Sequence, residues 1–127
     1  MEERIDVMKV AVSAAARDIN AAVDPRFGRA ACFLLVDADT MEYEVVENKQ
    51  NLQAAQGAGI QAAALVAGSR PEAVITGHCG PKAFQTLKAA GIGVVVGAGG
   101  SVREAVEGYK SGKYRCADSP DVESHWV

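Results

Sequence analysis

The sequence predicts a three-layer α/β/α domain on a mixed sheet, and three observations carry that expectation. Two apolar strand patterns separated by a short polar turn form an antiparallel hairpin early in the chain. A helix rich in alanine follows, and the second half then repeats strand, glycine turn and helix. Parallel strands joined by right-handed crossovers place such helices on both faces of a sheet.

Met8-Lys9-Val10-Ala11-Val12 reads as the first strand, with residues 1–7 a polar N-terminal extension and Met8 a second plausible start. Ser13 to Arg29 has no sustained periodicity and contains Asp24-Pro25, where proline turns the preceding residue away from helix, so it reads as a long loop. The unbroken apolar run from Ala31 to Val36 suits a strand buried on both faces. Asp37 to Thr40 is a turn, after which Met41, Tyr43 and Val45 alternate with Glu42 and Glu44, the pattern of a strand with one wet face. A polar stretch from Glu47 to Gln56 leads into Gly57-Ala58-Gly59.

Ile60, Ala63, Ala64 and Ala67 then predict the buried stripe of a helix over 58–67 that Gly68-Ser69-Arg70-Pro71 ends. Ala73 to Thr76 is a strand, Gly77-His78-Cys79-Gly80 its turn, and Pro81 the first residue of a helix with Phe84, Leu87 and Ala90 on one face. Gly91 ends that helix, Ile92 to Val96 is the last strand, and Gly97 to Gly100 is the next turn. Ser101 with Glu104 three residues on forms a capping box for a helix lined by Val102, Ala105, Val106 and Tyr109. From Tyr114 to Val127 the chain reads as a loosely held tail, polar apart from Trp126 and Val127.

The chain has 127 residues, of which 49% are hydrophobic and only 6% aromatic, so one domain with a core of alanine and valine is expected. Lys and Arg number 13 against 16 Asp and Glu, a net charge of -3 that offers no general drive toward nucleic acid or an anionic membrane. No apolar run approaches the roughly 18–20 residues of a spanning helix. Met1-Glu2-Glu3-Arg4 lacks the basic region of a signal peptide, and the protein reads as soluble and cytoplasmic. Cys32, Cys79 and Cys116 are odd in number and share no spacing, so they describe no disulfide framework.

The sharpest chemical feature is Thr76-Gly77-His78-Cys79-Gly80-Pro81-Lys82. A thiol and an imidazole sit between glycines ahead of a helix N-terminus, where backbone donors favour negative charge and a thiolate. Lys82 adds to that field. The plain alternative is an ordinary loop, because an adjacent His-Cys pair lacks the further ligands of a zinc site. A nucleophilic cysteine is a third reading, with only His125 otherwise available as histidine. Asp24-Pro25-Arg26-Phe27-Gly28-Arg29 suits a planar grip on an anion, and equally a solvated basic turn with Phe27 plugging the core. Arg17 stands in the same loop. The glycine turns at 57–59 and 97–100, Gly99 included, present N–H groups before helices, yet neither is a nucleotide fingerprint. No HExxH or GxSxG occurs, and the loop carboxylates are scattered, so the residues describe a binder more than an enzyme.

Met8-Lys9-Val10-Ala11-Val12, Arg26-Phe27-Gly28-Arg29-Ala30, Phe33 to Asp37 and Glu47-Asn48 together resemble the dinitrogenase iron-molybdenum cofactor biosynthesis family. Gly57 through Ala63, Gly77 through Ala83 and Leu87 through Ile92 continue the match, so residues 8–113 read as a single such domain. The family includes NifX, NafY, the C-terminal domain of NifB and stand-alone orange-protein-like members. The resemblance implies a ribonuclease H-like motif with a five-stranded mixed sheet in the order 3-2-1-4-5, strand 2 antiparallel, and no nuclease chemistry.

It also implies a carrier of an anionic metal-sulfur cluster of iron-sulfur, iron-molybdenum or molybdenum-copper type, without catalytic turnover. The expected partners are cluster donor or acceptor proteins, and the expected state a monomer or weak homo-oligomer. The expected ligands are Cys79 and His78, in a site made by Arg26, Phe27, Gly28, Arg29, Gly77, Gly80, Lys82 and Gly99. Cys32, inside a strand, reads as a small buried hydrophobe, and Cys116 as the only late addition to the ligand set. The rival expectation is a cofactor-free interaction or regulatory domain, whose contacts would be Trp126, Tyr114 and the outer face of the hairpin.

Overall fold

The computed structural model describes residues 8–48 and 58–117. The extension at 1–7, the polar stretch from residue 49 to Gly57, His125 and Trp126 lie outside the described residues. Eight elements follow one another: β1 (Lys9–Ala14), β2 (Cys32–Asp37), β3 (Tyr43–Glu47), α1 (Ala58–Gly68), β4 (Ala73–Ile75), α2 (Pro81–Ala89), β5 (Gly93–Val95) and α3 (Val102–Lys110). They make a five-stranded sheet in the order β3-β2-β1-β4-β5. β2 is antiparallel to both its neighbours, while β1, β4 and β5 run parallel. The three-layer mixed fold expected from the sequence, and the strand order that the family resemblance implies, are those observed.

Side-chain alternation divides the core in two. Val10, Val12, Leu34, Val36, Ile75 and Val95 point to one face, which α3 covers with Val102, Ala105 and Val106. Ala11, Phe33, Leu35, Val74 and Val94 point to the other, under Ala62, Ala63 and Val66 of α1 and Phe84 and Leu87 of α2. Cys32 is buried in the first cluster, as its place in a strand implies. Burial pushes its thiol up from the ordinary value, and the nearby Glu47 carboxylate adds to that against the opposing charge of Arg17.

Two packing expectations need correction. The buried stripe of α1 is Ala58, Ala62, Ala63 and Val66, whereas Ile60 is 41% exposed and Ala64 also faces outward. A helix that is apolar nearly all round has no preferred face in its own sequence, and the sheet chooses one. On β3, Tyr43 and Val45 are exposed, although their alternation with glutamates suggested a packed face. The strand is the sheet's edge, and α3 does not extend over it.

The chain beyond α3 runs beside the opposite edge. Ala117 N–H donates to Val94 O at 2.6 Å, Ala117 packs on the α1/α2 side, and Tyr114 packs on the α3 side. Ser101 accepts from Glu104 N–H while the Glu104 carboxylate accepts from Ser101 N–H, the expected capping box. No helix among the described residues is long and apolar enough to cross a membrane.

Candidate functional site

The parallel strands β1, β4 and β5 end at one edge of the sheet, where a ligand site of an open α/β sheet is expected. The long loop after β1 crosses this edge as a strap. Ala15 N–H donates to Ala22 O, and Val23 N–H then reaches Gly100 O at 2.9 Å. In return Val102 and Arg103 donate to Ala21 O and Ile19 O, so the first half of the strap is tied to the start of α3.

The second half crosses to the turn after β4. His78 N–H donates to Pro25 O at 2.7 Å and Phe27 N–H donates to His78 O at 3.2 Å, a parallel bridge between Arg26 and His78. The two motifs singled out in the sequence, more than fifty positions apart, are thereby one structural unit. Gly77 allows it, since a Cβ there would stand 2.8 Å from Pro25 Cα and carbonyl O.

Polar residues that sequence reasoning passed over hold this unit together. Ser13 and Thr76, both fully buried at the ends of β1 and β4, have hydroxyls 2.8 Å apart, and the Ser13 hydroxyl lies 2.7 Å from Asp24 O. A carbonyl only accepts, so Ser13 donates to Asp24 O and Thr76 donates to Ser13. Asn48, buried just after β3, donates from Nδ2 to Ala30 O at 2.8 Å and to Gly28 O at 3.4 Å. A hydroxyl closing each of two otherwise apolar strands is a signal that the sequence does contain.

The candidate side chains do not all share one surface. Arg26 is exposed and Lys82 is exposed in the first turn of α2, and neither has an ion-pair partner among the described residues. His78 is half-buried and Arg29 half-buried. Phe27 is fully buried with its ring centroid 5.1 Å from that of Phe33, so it anchors the strap from below. Gly28, Gly77 and Gly80 are buried backbone of the junction. Gly99 is exposed in the turn before α3, and the strap meets that turn through Gly100 instead.

Cys79 is fully buried in the apolar cluster with Phe27, Ala83 and Phe84, its Sγ 3.7 Å from Gly80 O. Arg17 extends away to Glu47, with Nε 2.6 Å from Oε2, and so adds a neutralised pair to the edge in place of a free charge. Cys116 is exposed beside β5. Among the described residues no three of His, Cys, Asp and Glu gather as a metal cage. What they do bring near one helix start are two exposed cations, Arg26 through its bridge to His78 and Lys82 in the first turn of α2: Gly80 precedes the helix with no side-chain cap, no acidic residue lies in the first turn, and Pro81 is its first residue.

The fold recurs in known proteins. The chain is 44% identical to the orange protein of Desulfovibrio gigas, whose apo form superposes with a TM-score of 0.86 over 91% of this chain and 98% of that one. A putative NifB protein from Thermotoga is 31% identical, with a TM-score of 0.75 over 90% of this chain and 97% of its own. An uncharacterized protein of Methanocaldococcus jannaschii is 29% identical over 113 residues, which are 87% of this chain and 92% of that protein. The family model described as dinitrogenase iron-molybdenum cofactor matches residues 8–112. This chain therefore belongs to the dinitrogenase iron-molybdenum cofactor family.

Proposed function

We propose that the protein binds and carries an anionic metal-sulfur cluster, as an accessory in cofactor assembly and without turnover of its own. The observation that supports this best is the Arg26–His78 bridge, which sets an exposed guanidinium beside the glycine turn that opens α2. A preassembled cluster needs no protein cage of three or four ligands. Its sulfides accept from backbone N–H groups, and its charge is balanced by Arg26, Arg29 and Lys82. His78 is the side-chain donor at this site. Cys79 lies one layer deeper and becomes a ligand only where the 77–80 turn opens. Donor and acceptor proteins of the same assembly are the partners this reading requires.

Anaerobic purification and reconstitution, with bound metal per chain and a visible spectrum as readouts, test it. The parent should take up an iron-sulfur or molybdenum-containing cluster. Arg26→Ala should lose it at salt concentrations the parent tolerates, because an exposed charge acts through a screened field. Cys79→Ser and His78→Ala then divide the ligand role: loss in one and retention in the other identifies the donor. A parent protein that stays colourless and metal-free when cluster is supplied would sink the proposal.

A further inference from the structure

The two edges of the sheet are finished differently. At β5 the chain itself returns, with Ala117 bonded to Val94. At β3 nothing among the described residues pairs with the outer side. Asp37 N–H donates to Glu42 O, and the β2–β3 register matches Leu35 with Glu44 and Phe33 with Val46. Main-chain bonding alternates along an antiparallel strand, so the N–H and C=O groups of Tyr43, Val45 and Glu47 point to the open edge. The side chains of Tyr43 and Val45 beside them are 38% and 36% exposed.

An open groove of about 620 Å³ lies along the start of this strand, lined by Leu35, Met41 and Tyr43 with the charged residues Lys9, Asp37, Glu42 and Glu44. Lys9 stands opposite Asp37 in the β1–β2 register and offsets it. Glu42 and Glu44 are left, both exposed and without an ion-pair partner among the described residues.

We propose that β3 is a docking edge for an extended basic segment of a partner protein, which adds as a sixth strand. This reading does not depend on cluster binding. The alternation of β3 dictates the partner's pattern. Residues opposite Glu42 and Glu44 lie on the face that Leu35 shares and are Lys or Arg, whose aliphatic stems cover Leu35. Residues opposite Tyr43 and Val45 lie on the other face and are apolar or β-branched. Main-chain bonds supply the affinity and the alternate side chains the choice of partner. A second copy of this chain is disfavoured, because pairing β3 with itself brings a second Glu42 and Glu44 to the same face. The strand also ends at Glu47 and Asn48, which hold Arg17 and the strap, so a segment laid along it reaches the candidate site.

The test uses the isotope-labelled, cluster-free full chain and a synthetic peptide alternating Lys or Arg with Val, Ile or Thr. A peptide with Glu in place of the basic residues is the control. Amide shifts should change with the basic peptide and concentrate at residues 42–47, and the binding should weaken with salt. Glu44→Lys should weaken it about five- to tenfold, as expected for reversing one rim charge. Val45→Pro removes an outward N–H at a position where an edge strand tolerates proline, and should abolish binding with the rest of the spectrum intact. If that variant does not fold, Glu44→Lys alone decides. Equal binding of the acidic peptide overturns the proposal. So do shifts that lie elsewhere, or shifts at β3 that follow protein concentration without peptide, which would mean self-association.

Discussion

Gly28 of the strap lies against the backbone of Gly59 in the first turn of α1, so close that a Cβ on Gly28 would stand 2.9 Å from both Gly59 Cα and N. Backbone meets backbone here, and neither side can yield by rotating a side chain. The contact seats the Arg26-Phe27-Gly28-Arg29 loop directly on the start of the helix.

Gly28→Ala is therefore expected to force the strap and α1 apart and to cost about 1–3 kcal/mol, the usual scale of overpacking. Denaturant unfolding of the variant beside the parent measures it. An unchanged midpoint would show that the contact is looser than these distances.

The Thr76–Ser13–Asp24 chain of hydrogen bonds gives an asymmetric pair of predictions. Ser13→Ala strands both the Asp24 carbonyl and the Thr76 hydroxyl in a buried site and should cost about 1–3 kcal/mol. Thr76→Val removes only a donor to Ser13 and should cost less. The double variant should lose less than the sum, since the two changes break one shared bond. Additive losses would mean that the hydroxyls do not act together.

Tyr109 on α3 donates to Glu72 Oε2 at 2.6 Å, just ahead of β4. Burial first, then this bond and the charge of Glu72, hold the phenol well above its ordinary value. The unfolded chain releases that proton at lower pH than the folded one. The pair's contribution is thus complete below about pH 10, the unfolded value, and is lost as pH rises through the folded one. Tyr109→Phe should cost about 0.5–1.5 kcal/mol at neutral pH. The gap between parent and variant should then shrink above the unfolded value, and a gap that widens there contradicts the assignment.

The cysteines should separate by accessibility. Cys116 is exposed, whereas Cys32 and Cys79 are buried. In the folded protein a thiol reagent should modify Cys116 first, and the other two should react only as the chain unfolds, as mass spectrometry of timed samples would show. Rapid modification of Cys79 would mean that the 77–80 turn opens in solution, and would strengthen its case as a ligand and as a nucleophile.

Much of the architecture was legible because its signals are local. Ser101 and Glu104 write a capping box within one turn, Pro81 marks a helix start, and the polar turn from Asp37 to Thr40 fixes an antiparallel pair. These depend on residues a few positions apart, and each stands in the structure where its pattern placed it.

Which faces are covered was not legible for α1 and β3. Alternation in β3 says that Tyr43 and Val45 share a side, but only the limits of α3 decide whether anything covers that side. Likewise the alanines of α1 fit either face, and the sheet selects Ala62 and Ala63 over Ile60 and Ala64.

The site divides the same way. The sequence by itself determined that two unusual loops, one with Arg26 and one with His78 and Cys79, each follow a strand. Only the tertiary structure decided that Arg26 pairs with His78, that Asn48 holds Gly28 and Ala30, and that Cys79 turns into the core while Arg26 stays in solvent. Those outcomes depend on contacts between segments far apart in the chain, where a loop's backbone finds its partners only after the sheet beneath it has formed.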